Sequence, residues 1–135
     1  MKKIYKLKED IYGIGTILFL GTWKEFQIYI KRKYKVELED NNTAGKFLSI
    51  EDPKIGFFTH YIWMPKFNWL ISEQDTLCHE CIHATFDTMK RCNIPFTCDN
   101  NEAFAYLNSY YYSGLLLALN VEYKKNEKKK ANKKK

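Results

Sequence analysis

Residues 72–91 read SEQDTLCHECIHATFDTMKR, and the reading of this stretch sets the architecture around it. Within it, His79-Glu80-Cys81-Ile82-His83 is an HExxH pattern. Residues four apart on an α-helix differ by about 40° in azimuth and about 6 Å along the axis, so the two imidazoles point the same way and can share one tetrahedral metal ion. Glu80 falls about 60° from His83 on the side away from His79, within reach of a metal-bound water without being a ligand. The other flank carries Cys78, Ile82, Thr85, Phe86 and Met89, which gives the helix a side to bury. Ser72 as N-cap, with Asp75 at the capping-box position, predicts a helix from Glu73. Cys92-Asn93 leads into Pro95 and ends it near Arg91.

A zinc ion held by two histidines calls for a third protein ligand. Glu102 answers it: Asn93 to Pro95 supplies a turn, and Glu102 then stands in the first turn of a last helix over 101–120, capped by Asp99 or Asn100. The competing role for Glu102 is a capping-box partner of Asp99. The ligand role is preferred because the histidine pair demands one and no other carboxylate is so suitably placed.

Upstream, Lys3–Lys8 and Thr16–Leu20 read as strands around a turn marked by Gly13 and Gly15. Thr22 caps a helix over 23–34, where Trp23, Phe26, Ile30 and Tyr34 recur at helical spacing and predict a helix laid on one face of the sheet. Residues 37–45 are polar and read as a loop; 47–50 and 57–64 read as strands joined through Glu51-Asp52-Pro53-Lys54. The class expected is α+β: a small sheet with an N-terminal helix, the HExxH helix and a C-terminal helix bearing Glu102.

The chain has 135 residues, 45% hydrophobic and 28% charged, which is the composition of one folded domain. Its net charge of +6 is uneven: residues 124–135 hold eight lysines against Glu127, leaving 14 basic and 15 acidic side chains in 1–123, a net of −1. The domain is therefore expected over 1–123, with a basic tail over 124–135 that has no apolar face with which to fold. That tail is the place for weak contact with nucleic acid or an acidic partner. The longest apolar run, Ile11 to Leu20, is half of the roughly 20 residues that span a bilayer, so no membrane partner is expected. Glu9 and Asp10 break the entry to that run and Gly21-Thr22-Trp23 is a poor cleavage site, so no export signal is read. Cys78, Cys81, Cys92 and Cys98 are then expected as reduced thiols in a cytoplasm. A four-thiolate zinc site from these cysteines is the rival metal reading, and its spacing is poor.

The HExxH, the eighteen-residue gap and Asn101-Glu102-Ala103-Phe104-Ala105 resemble the gluzincin metallopeptidases, whose aminopeptidase branch shows a similar Asn-Glu-Gly-Phe-Ala stretch. The resemblance covers residues 79–105, and the Gly-x-Met-Glu-Asn motif of those aminopeptidases is absent. In the order of its elements the chain also resembles small zincin-like proteins encoded by phages and mobile elements. The resemblance implies a zinc metallopeptidase acting on a peptide or protein substrate, with His79, His83 and Glu102 as ligands and Glu80 as general base. It also implies that strand 57–64 runs beside the bound peptide. His60 on that strand is a candidate transition-state stabiliser or a structural polar residue. Tyr106 is a stabiliser or a packing residue, and Asp87 orients a ligand imidazole or is merely solvated. A different class of answer is a catalytically inactive zinc fold that binds a partner through the tail.

Overall fold

The computed structural model describes residues 2–8 and 12–133; Met1, Glu9 to Ile11 and the last two lysines of the tail lie outside that description. The elements run β1 (Lys3–Leu7), β2 (Gly15–Leu20), α1 (Trp23–Tyr34), β3 (Lys46–Glu51), β4 (Phe58–Met64), α2 (Ile71–Arg91) and α3 (Glu102–Lys133). The strands form one mixed sheet in the order β1-β2-β4-β3. β2 pairs parallel with β4, while β1 pairs antiparallel with β2 and β3 antiparallel with β4.

The central pair explains the two layers. Side chains alternate across a strand, so Ile17, Phe19, Tyr61 and Trp63 face one way and Leu18, Leu20, Ile62 and Met64 the other, all buried. On the first face α1 contributes Phe26 and Ile30. Its start is fixed by Thr22, whose Oγ1 accepts from the Glu25 N–H at 3.2 Å while Glu25 Oε2 accepts from the Thr22 N–H at 2.8 Å. On the second face α2 and α3 bury Leu77, Cys81, Ala84 and Met89 with Leu107, Tyr111, Leu115 and Leu119. A buried bond of 2.7 Å between Thr88 Oγ1 and Tyr111 Oη ties the two helices together. Gly114 lets α3 close on β1, because a Cβ there would stand 2.6 Å from Leu7 Cδ1.

Two helix boundaries differ from the sequence expectation. α2 begins at Ile71, and the residue that secures its start is Glu73, whose carboxylate reaches back to the N–H groups of Asn68 and Leu70; Ser72 and Asp75 are not its caps. α3 begins at Glu102 and continues past Asn120 to Lys133, so the lysine-rich stretch expected to lack structure carries on the helix. Lys, Glu and Ala are good helix formers, and extending an existing helix needs no new nucleus. Lys124 to Asn132 are all exposed. No helix among the described residues is long and apolar enough to cross a membrane.

Candidate active site

α2 buries the side that carries Leu77, Glu80, Cys81, Ala84 and Thr88 and leaves His79 and His83 exposed. Their Nε2 atoms lie 3.1 Å apart and their rings meet edge to face, centroids 4.8 Å apart. That separation fits two neighbouring corners of a tetrahedral zinc, which are about 3.3 Å apart when the zinc–nitrogen bonds are about 2.0 Å. The pair faces a cleft of about 630 Å³ whose walls are α2, from Asp75 to His83, and Thr43 to Phe47 at the start of β3.

The wall opposite α2 is the sheet's edge. β3 comes close because residue 45 is glycine: a Cβ there would stand 2.6 Å from Thr76 Cγ2 and 3.2 Å from both Cγ and Oε1 of Glu80. Glu80 is thereby packed under the strand, 6% exposed, and accepts a hydrogen bond from the Phe47 backbone. Burial pushes its carboxyl above the usual range, against the pull of His83, His79, Lys46 and the Phe47 bond. The Phe47 ring stacks on His83 at 6.2 Å and 19°, and meets His60 edge-on at 5.1 Å. Sequence reasoning assigned neither Gly45 nor Phe47 to the site, because nothing local says that 45–47 is the strand against the histidines.

Glu102 is exposed at the first turn of α3, does not line the cleft, and its carboxylate makes no hydrogen bond or ion pair among the described residues. Among the described residues no three of His, Cys, Asp and Glu form a group that could hold a metal, so neither Glu102 nor the cysteine cluster is brought together as a ligand set. The donor set thus fits a zinc ion in its two imidazoles and stops there. The four cysteines are free thiols, and burial pushes the Cys81 thiol upward, which opposes a thiolate role.

The expected supporting residues are placed elsewhere. β4 is a central strand, so the strand beside the cleft is β3 and not 57–64. His60 is fully buried and its Nε2 pairs with Asp87 Oδ2 at 2.9 Å. Asp87 also accepts from Ser49 Oγ at 2.8 Å and Arg91 Nε at 2.7 Å, and so braces α2 on the sheet, not a ligand imidazole. Tyr106 lies on another side of α3, stacked with Tyr110 at 6.4 Å along a shallow groove with Ser113 and Leu117. Asp75, by contrast, lines the cleft one turn before His79. Compared with known families, curated proteins and solved structures, the chain has no match.

Proposed function

We propose that the chain is a zincin-like, zinc-dependent hydrolase that cleaves peptide bonds. The observation that carries this reading is the convergence of the His79 and His83 nitrogens at 3.1 Å beside a buried Glu80, in a cleft bounded by an open strand edge. A zinc ion held there would supply a Lewis acid for the scissile carbonyl and for water. His79 and His83 would hold it, with Glu102 as the third ligand that the gluzincin resemblance assigns.

The chain's own groups then do the following. The outer edge of β3 offers backbone donors and acceptors to an extended peptide, which is how a free strand edge recruits a partner. Glu80, held by the Phe47 N–H, takes a proton from the attacking water as the C–O bond forms. It returns that proton to the amide nitrogen as the C–N bond breaks, so the carboxylate is regenerated. A carboxyl raised by burial suits this double role better than an ordinary exposed one. Lys46 is the cation that the cleft wall offers to charge developing on the carbonyl oxygen.

Glu102's place outside the cleft favours a second reading, a non-catalytic relative of the fold that binds a partner. Glu80→Gln separates the two, since it keeps size and helix and removes the base. Across a panel of unfolded proteins and peptides, with zinc and with a chelator control, cleavage is expected to fall about 10²-fold or more while zinc content and melting temperature stay near wild type. Equal inactivity of both proteins with zinc bound would leave the binding reading in possession.

A further inference from the structure

We propose that the groove between Trp69 and the distal part of α3 is a binding site for single-stranded nucleic acid. Two hollows of about 250 and 380 Å³ meet there, sharing Asn68, Trp69 and Tyr123. The lining includes the rings of Trp69 and Tyr123 and the amides of Asn68, Asn120 and Asn126, with Lys3 and Glu122 at one side. It has no residue in common with the cleft at His79 and His83, so the inference stands apart from the hydrolase reading.

Two of the side chains there hold unused binding capacity, while the Asn68 amide already donates to Glu73 at 3.3 Å and Asn126 is hydrogen-bonded to Glu122. The indole N–H groups of Trp23 and Trp63 donate to the Glu39 and Gly21 carbonyls, whereas that of Trp69 has no partner among the described residues. The Asn120 amide has none either. Tyr123 is 52% exposed. Trp69 sits at φ 65°, a conformation that a bulky residue adopts only where its surroundings enforce it. Edge contact with Phe67 at 5.3 Å holds the indole at the groove. Glu122, the acid in the lining, is already engaged by Lys3 at 2.9 Å and by the Tyr5 hydroxyl, so it does not repel an anion as a free carboxylate would.

Charge extends from this groove in one direction. On the helix Leu119, Tyr123, Asn126 and Lys130 follow at intervals of four, three and four, so Lys130 returns to the face that lines the groove. Lys124, Lys125, Lys128 and Lys129 lie on either side of it, all exposed, and Lys130 itself stands 3.6 Å from Glu127. From Lys124 to Asn132 the helix has no apolar stripe with which to insert into a bilayer interface or dock in an apolar protein groove, and a polyphosphate asks for none. Stacking rings, the Asn120 amide to meet a base edge, and a run of lysines tracking phosphates are the combination that serves an unpaired strand. In a duplex the base faces are already stacked on one another, so the rings of the groove would have nothing to hold.

The test is fluorescence anisotropy with the full chain and labelled 20-mers of dT, of rU and of a DNA duplex, over a salt series. Either single strand is expected to bind more tightly than the duplex. Tyr123→Ala and Trp69→Ala should each weaken strand binding about fivefold or more, the lower end of what losing a base–ring stack costs. Tyr123→Phe should bind like wild type, which guards against loss of fold. Replacing Lys124, Lys125, Lys128, Lys129 and Lys130 with alanine keeps the helix and should weaken binding and flatten the salt dependence. His83→Ala, whatever it does to zinc, should leave strand affinity as in wild type. Duplex bound as tightly as the strands with the ring variants unaffected, tighter binding of polyglutamate, or no binding at low salt would each overturn the proposal.

Discussion

Asp87 shows how one residue's chemistry depends on a partner far away in sequence. Burial would raise its carboxyl, but hydrogen bonds from His60, Arg91 and Ser49 outweigh that and hold it well below the usual carboxylate range. A carboxyl depressed in the folded state contributes stability that is fully present above its unfolded pKa of about 3.9 and is lost as pH falls through the folded value. Asp87→Asn is therefore expected to be less stable than wild type by roughly 1.5–3 kcal/mol at pH 6, the worth of charge-assisted bonds. Chemical denaturation in a pH series should show that gap closing below about pH 4; a gap that stays constant into acid would mean that the carboxylate's charge is not what braces α2. From sequence alone, Asp87 reads as a neighbour of His83 on one helix. Its real partners, Ser49 on β3 and His60 on β4, become visible only once β3 pairs with β4 in the register that sets Ser49 opposite His60.

The elements were legible where the signal was local. The Thr22 cap and the helical spacing of Trp23, Phe26, Ile30 and Tyr34 define α1, and the apolar runs of β2 and β4 define the sheet's centre. What could not be read is strand order. A parallel β2–β4 pair puts β4 inside and β3 at the edge, and that alone transfers the role of cleft wall from Phe57–Met64 to Gly45–Phe47. The start of α2 was misread for a related reason, because Glu73 caps backward onto Asn68 and Leu70 while Asp75 turns to the cleft. The same scale holds the open question of the third ligand. The first turn of α3 is held by Phe104 against Phe86 and Phe96, rings 5.1 and 5.2 Å apart, and Phe86 and Phe96 are about half exposed. For Glu102 to join the histidines on a zinc ion this helix end would have to shift, with metal binding supplying the free energy. Metal analysis with chelator competition is expected to find one zinc per chain, lost in His79→Ala and in His83→Ala and held at least tenfold more weakly in Glu102→Ala. Unchanged affinity in Glu102→Ala would strike Glu102 from the site.

At the scale of the whole molecule the chain is a nearly neutral body from which one basic helix projects, and the point where the two part company is Glu122. Its carboxylate is bound by Tyr5 and Lys3 of β1, and Leu119 one turn earlier is buried in the core between sheet and helices. Beyond Tyr123 the described side chains are exposed and none belongs to the hydrophobic core, so the helix there is supported mainly by its own backbone and by continuity with the packed part. Two truncations measure this boundary. Ending the chain after Tyr123 removes the net charge of the tail and part of the helical circular dichroism, yet the melting temperature is expected to stay within about 1 °C, since exposed residues carry little folding energy. Ending it after Asn120 also removes Glu122 and leaves Tyr5 and Lys3 without their acceptor. The loss is expected to be on the order of 1 kcal/mol, discounted because the Lys3 pair is partly exposed, or about 4 °C in melting temperature. Equal melting of the two truncations would move the boundary of the folded body to Asn120. An unchanged dichroism spectrum after the first cut would show that the lysine stretch is not helical in solution, and with it the single-strand groove would lose the rigid arm that aims its charge.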